Sequence, residues 1–132
     1  MEANIMKRQA VVTENAPAAV GPYSQAIATD SYIFCSGQLG LNPSTGKLDT
    51  VDIAAETEVV LSNLSIVLSA AGSSMDRVVK TTVFLADLKD FQTMNEVYAR
   101  HFTTPFPARS TIQVAALPRG AKVEIEAIAL KS

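Results

Sequence analysis

The run Arg77-Val78-Val79-Lys80-Thr81-Thr82-Val83-Phe84-Leu85-Ala86 decides the architecture. Its β-branched content predicts a strand over 77–86. Alternation puts Val79, Val83 and Leu85 on one face and Val78 and Phe84 on the other. Both faces carry apolar side chains, so both need cover. Helices cover one; the other needs something this short chain does not supply.

Immediately upstream lies the clearest helix. Asp52 reads as its N-cap, and Glu56 in the first turn complements the helix dipole. Apolar residues recur at Ile53, Val60, Leu61, Leu64, Val67, Leu68 and Ala71, a period of about 3.6 and one core-facing stripe. Gly72 supplies the C′ stop. Downstream, a second helix starts near Asp87 or Asp90, with Leu88, Phe91, Met94, Tyr98 and Phe102 on its apolar face and Pro105 and Pro107 ending it.

Further out, strands are predicted over 6–12, 25–28, 32–39, 110–117 and 121–130. Pro17, Gly21 and Pro22 make 13–22 a loop. Thr29-Asp30-Ser31 reads as a hairpin turn, Asn42-Pro43-Ser44-Thr45-Gly46 as a turn cluster and Pro118-Arg119-Gly120 as a tight connection. The order is β-β-β-α-β-α-β-β. The expected class is α+β: one domain over 1–132, residues 1–5 a loose lead, with about six strands in one sheet and two helices on one of its faces. A second subunit is expected on the other face.

Composition limits function. The chain has 132 residues, 48% apolar and 18% charged, which excludes disorder. Eleven basic against thirteen acidic residues leave a net charge of −2, which weighs against a global grip on nucleic acid or anionic lipid. One cysteine allows no internal disulfide and no multi-cysteine zinc site, and one histidine argues against a His-rich metal centre. The apolar runs fall short of the roughly 20 residues of a membrane span. Met1-Glu2-Ala3-Asn4-Ile5-Met6-Lys7-Arg8 has no apolar signal core, so a reducing, cytosol-like compartment is expected.

Three places could carry chemistry. In Phe106-Pro107-Ala108-Arg109-Ser110-Thr111, Arg109 follows a proline-stiffened loop and shares a strand face with Thr111 and Gln113. It could clamp a carboxylate or phosphate, or sit in a rim salt bridge. Glu124 and Glu126 share the face opposite Val123 and Ile125, either as a general base or as a solvated strand face. Gly21-Pro22-Tyr23-Ser24-Gln25 displays a phenol, either a substrate wall or a ring packed over a sheet edge. In Cys35-Ser36-Gly37-Gln38 the mid-strand glycine marks a bulge or a close approach. Ser36 has no nucleophile elbow. Cys35 reads as a small buried hydrophobe and His101 as a helix C-terminal dipole partner.

Pro107-Ala108-Arg109-Ser110-Thr111, Val114-Ala115-Ala116-Leu117-Pro118 and Val123-Glu124-Ile125-Glu126-Ala127-Ile128-Ala129 together resemble the C-terminal signature of the Rid family, the reactive intermediate (enamine/imine) deaminases. Gly21-Pro22-Tyr23-Ser24-Gln25-Ala26, Ser36-Gly37-Gln38 and Met94-Asn95-Glu96-Val97-Tyr98 match its other motifs. The resemblance runs in order from Val11 to Leu130. It implies a chorismate-mutase-like fold and a homotrimer with sites between subunits. It also implies cytoplasmic hydrolysis of 2-iminopropanoate and 2-iminobutanoate to 2-oxo acids and ammonia, without metal or organic cofactor. Carried over, Arg109 clamps the substrate carboxylate and Glu124 positions or activates the attacking water. Tyr23 lines the pocket from a neighbouring subunit, and Ser36, Gly37 and Asn95 shape it. Thr111 stands where many members carry cysteine, which removes a thiolate but leaves backbone contacts to the substrate. Some members are described as ribonucleases or translation inhibitors, and a non-catalytic, chaperone-like trimer is a further alternative.

Overall fold

The structure is a computed structural model that describes residues 7–132. The expected loose lead at 1–5, and Met6 of the first strand, lie outside the described residues. The elements are β1 (Gln9–Val11), β2 (Ala26–Ala28), β3 (Tyr32–Leu39), α1 (Ile53–Ala70), β4 (Val78–Leu85), α2 (Phe91–Ala99), β5 (Ala108–Gln113) and β6 (Val123–Leu130). They form a single α+β domain with one six-stranded sheet ordered β1-β2-β3-β6-β4-β5. The sheet is mixed, because β4 and β5 pair parallel while the other neighbours are antiparallel. α1 packs across β3 and β6 and against α2, so the helices form one layer on one face.

The core follows from the apolar stripe of α1. Val60, Leu61, Leu64, Val67 and Leu68 are completely buried against Ile33, Val83, Leu85, Val123 and Ile125. Asp52 caps the helix as expected, its carboxylate accepting from the Ala55 N–H at 2.8 Å. At the other end the Ser73 N–H reaches back to the Leu68 carbonyl past Gly72, whose φ of +80° suits a residue without a Cβ. By length and mean hydropathy (1.4 over 18 residues) α1 could cross a membrane, contrary to the expectation that no run comes near. Its apolar face is taken up by the core, and it buries Glu56 and Asn63 as well.

Several expectations are corrected. A register shift between Val78 and Lys80 reverses the parity at the start of β4. Val78 is therefore buried, with Thr81, Val83 and Leu85, while Val79 is exposed. β5 begins at Ala108 and stops at Gln113, because its partner β4 ends at Leu85; the Val114 N–H makes the last bond, to the Leu85 carbonyl. β6 starts at Val123, since 118–120 form a 3-10 turn with Arg119 at φ 62°. The second helix starts only at Phe91, after a 3-10 turn over Leu88–Asp90; Met94, Val97 and Tyr98 are buried, whereas Leu88 in that turn and Phe91 are exposed. Glu56 lies in the first turn of α1 as expected, and is fully buried there. His101, beyond α2, pairs with Glu58 on α1 at 2.8 Å.

Among the described residues no helix covers the opposite sheet face. Tyr32, Phe34, Ile112 and Leu130 are exposed on it, alongside Glu124, Glu126 and Ile128 of β6. Leu64→Ala, at a position with no solvent exposure, is expected to destabilise the fold by about 2–5 kcal/mol in urea unfolding, while Val51→Ala at an 87% exposed position changes it by less than about 0.5 kcal/mol.

Candidate functional site

The candidate residues fall into two groups. The first lies where β3 bulges. The ladder to β6 shifts register between Cys35 and Gln38, so Ser36 and Gly37 leave the regular pairing. The Ser36 hydroxyl donates to the Ser24 carbonyl at 2.6 Å and its N–H to the Gln25 carbonyl at 3.0 Å, holding the Tyr23 loop against the bulge. Gln25 fixes the same loop from beneath. Buried at 4% exposure, its amide donates to the Thr13 and Pro17 carbonyls and accepts from the Thr13 N–H. Tyr23 is left half exposed, its hydroxyl accepting weakly from the Val20 N–H at 3.3 Å.

Gly37 lies directly against the Glu124 side chain. A Cβ on Gly37 would stand 2.5 Å from Glu124 Oε2 and 2.8 Å from its Cδ, closer than real Cβ contacts come. The glycine thus marks both a bulge and a close approach. Burial raises the Glu124 pKa above the ordinary carboxylate value, and the neighbouring Glu126 charge adds to the rise. A carboxyl with a raised pKa in a partly enclosed position suits proton exchange with water. Cys35, just before the bulge, is buried, and burial pushes its thiol up to about 12. It is therefore the inert small hydrophobe expected.

The second group lies on the outer strand β5 and on α2. Arg109 faces the helix side of the sheet: its carbon Cζ sits 4.7 Å from the Tyr98 ring centre and 5.7 Å from that of Phe91. Tyr98 is itself held by a 2.7 Å bond to the Thr81 hydroxyl, and Thr81 is the ladder partner of Arg109. Burial raises the Tyr98 pKa, against the lowering effects of Thr81 and Arg109. Among the described residues Arg109 has no carboxylate partner. Phe91, Asn95 and Tyr98 share one helical face by spacing. Asn95 Oδ1 on α2 and Thr111 Oγ1 on β5 are buried without hydrogen-bond partners among the described residues, as are Thr50 Oγ1 and Glu56 Oε1. Tyr98 and Phe91 read from the sequence as plain core; only their spacing around Asn95 hinted at more.

One chain does not bring the groups together. Thr111 pairs with inward-facing Val83, and Phe84 of the outward face pairs with Glu124. Arg109 therefore points to the helix side and Glu124 to the open side, with β4 between their strands. Ser36, Gly37, Glu124 and the Tyr23 loop thus gather at the β3 bulge, while Arg109 and Thr111 lie on β5 and Asn95 on α2. Among the described residues no three His, Cys, Asp or Glu side chains gather as a metal cluster.

The family model described as Endoribonuclease L-PSP matches residues 13–131. The chain is 54% identical over 129 residues to Reactive Intermediate Deaminase A, chloroplastic, of Arabidopsis thaliana, covering 98% of this chain and 69% of that protein. It is 49% identical over 124 residues to the 2-iminobutanoate/2-iminopropanoate deaminase of Homo sapiens, covering 94% of this chain and 90% of that one. Among solved structures, E. coli TdcF with bound serine superposes with a TM-score of 0.88 at 42% identity, covering 94% of this chain and 99% of that one.

Two outcomes test the geometry. Glu126→Gln is expected to move the Glu124 titration down toward, but not to, the ordinary carboxylate value, read by NMR of the Glu124 carboxyl. The sign is fixed: a raised acid favours the fold while protonated and loses that contribution as pH rises through its folded pKa. Gly37→Ala is expected to displace the Glu124 carboxyl in a crystal structure.

Proposed function

Since the chain belongs to the Rid family, we propose that it is a 2-iminobutanoate/2-iminopropanoate deaminase. It hydrolyses 2-imino acids to 2-oxo acids and ammonia. The observation that carries this reading is the unpaired Arg109 guanidinium, flanked by Phe91 and Tyr98, in a chain about half identical to named deaminases along nearly its whole length. TdcF, the structural relative, was crystallised with serine, a small molecule bearing a carboxylate.

We assign the steps as follows. Arg109 binds the substrate carboxylate through paired N–H bonds, and Asn95 and Thr111 offer polar atoms beside it. Glu124 takes a proton from water as the water oxygen bonds to the imine carbon. The C=N π pair moves to the imine nitrogen, which takes up a proton from solvent to give a carbinolamine. Glu124 passes the proton it took to that amine nitrogen, the hydroxyl gives up its proton to solvent as the C=O bond forms, and the C–N bond breaks to release ammonia and the 2-oxo acid. The imine is already electrophilic, so orientation and proton handling suffice.

The two half-sites on opposite sheet faces favour an assembly in which the β5–α2 side of one chain meets the Gly37–Glu124 side of another. We infer a homotrimer of the chorismate-mutase-like type, with Tyr23, Ser36, Gly37 and Glu124 from one subunit facing Arg109, Asn95 and Thr111 from the next. The bare sheet face, with Tyr32, Phe34 and Leu130, supplies apolar surface for such contacts. We place the protein in a reducing, cytosol-like compartment, where it would protect pyridoxal-phosphate enzymes from 2-aminoacrylate. The Arabidopsis relative is named chloroplastic, so the family is not confined to the cytoplasm.

The family description favours a second reading, ribonucleolysis, which a net charge of −2 does little to assist. A threonine or serine dehydratase coupled to lactate dehydrogenase separates the two. Oxo-acid release is expected to accelerate with the protein present, and no acceleration would sink the deaminase reading. Arg109→Ala is expected to lose on the order of 100-fold in kcat/KM while sedimenting as a trimer. RNA cleavage by that same variant would support the second reading.

A further inference from the structure

The first turn of α1 holds a buried acid for which the proposed chemistry has no use. Glu56 has no solvent exposure, and among the described residues it is the one acidic or basic side chain in the buried core. Its Oε2 accepts from the Lys122 N–H at 2.6 Å and the Val123 N–H at 3.2 Å. These are the two residues immediately before Glu124. Its Oε1 has no partner among the described residues. A buried carboxylate is costly unless it is bonded, so the position is held against a substantial desolvation penalty.

The same side chain also presses on β3. A Cβ added to Gly40 would fall 2.8 Å from Glu56 Cγ and 3.1 Å from its backbone oxygen, so the end of β3 lies directly on Glu56. Two turns further along α1, Asn63 donates its amide to the Leu39 and Leu41 carbonyls, on either side of Gly40, at 3.1 and 2.9 Å. Glu56 and Asn63 are spaced i, i+7 and share a helix face, so α1 grips both strands through one polar stripe. One strand carries Gly37, three residues before Gly40; the other carries Glu124, one residue after Val123. Between them lies the close approach of Glu124 to Gly37.

We propose that Glu56 is a positioning residue for Glu124: seated over Gly40 and holding the Lys122 and Val123 N–H groups, it sets the spacing between the Gly37 bulge and the Glu124 carboxyl. This rests on the reading of Glu124 as the group that handles the attacking water. Fixing that carboxyl at the bulge improves orientation without touching substrate, and so acts on turnover more than on affinity.

The test compares Glu56→Gln, Glu56→Ala and Gly40→Ala in the intact protein, with Glu124→Gln alongside, by steady-state kinetics in the coupled assay. Circular dichroism and melting confirm folding at the assay temperature. Glu56→Ala and Gly40→Ala are expected to lower kcat about 10–100-fold and leave KM within about twofold. Glu56→Gln keeps an oxygen for both N–H groups and is expected to stay within about threefold of the parent. A folded Glu56→Ala with parental kcat, or a Glu56→Gln as impaired as the alanine variant, overturns the proposal. If Glu56→Ala does not fold, parental kcat in Gly40→Ala overturns it equally. Full turnover in Glu124→Gln overturns the reading of Glu124 and the positioning role with it. Loss in Glu124→Gln beside full activity in folded Glu56→Ala overturns the positioning role alone.

Discussion

A sheet apolar on two sides, with helices enough for one, is the constraint from which the rest follows. α1 and α2 satisfy the inner face through Leu61, Leu64, Leu68 and Met94, all without solvent exposure. The outer face keeps Tyr32, Phe34, Ile112 and Leu130 exposed. Aromatic and aliphatic groups on one continuous face favour association far more than solvation. The same one-sidedness distributes the chemistry. Residues alternating along β6 and β5 must face either the helices or the bare side, so Glu124 and Arg109 part company within one chain.

Both groups of candidate residues are braced by their own chain. On one side the guanidinium of Arg109 lies near two aromatic rings, one of them tethered through its hydroxyl to Thr81. On the other, a strand bulge, a glycine and a bonded loop hold Glu124 and Tyr23 in place. Backbone carbonyls and buried amides do most of this holding, with Gln25, Ser36 and Asn63 as the connecting side chains. Preorganisation of this sort lowers the cost of orienting a small substrate.

Much of this was legible in the sequence. Hydrophobic period gave α1 and its stripe, Asp52 and Gly72 gave its ends, and alternation gave the two faces of β6. The mid-strand Gly37 announced a close approach, and Glu124 is what approaches. What stayed hidden was non-local. The bulge at Val79 depends on pairing with β6, and a parity rule has no access to its partner strand. β5 ended early because β4 ended, not because its own residues changed character. Phe91 and Tyr98 looked like core because an aromatic stripe reads the same whether it packs on leucine or on a guanidinium. Glu56 looked like an ordinary first-turn acid, since its partners lie 66 and 67 residues away.

The lone thiol gives the fold one more property. Cys35 is buried, and its pKa near 12 keeps it protonated at any physiological pH. With threonine at 111, the β5–α2 half-site carries no thiolate either. The thiolate, not the thiol, is the reactive form of cysteine, so a sulfur atom held protonated and buried is a poor nucleophile. The packing that makes Cys35 a core residue thereby also keeps the chain's one thiol out of reach of electrophiles in solution.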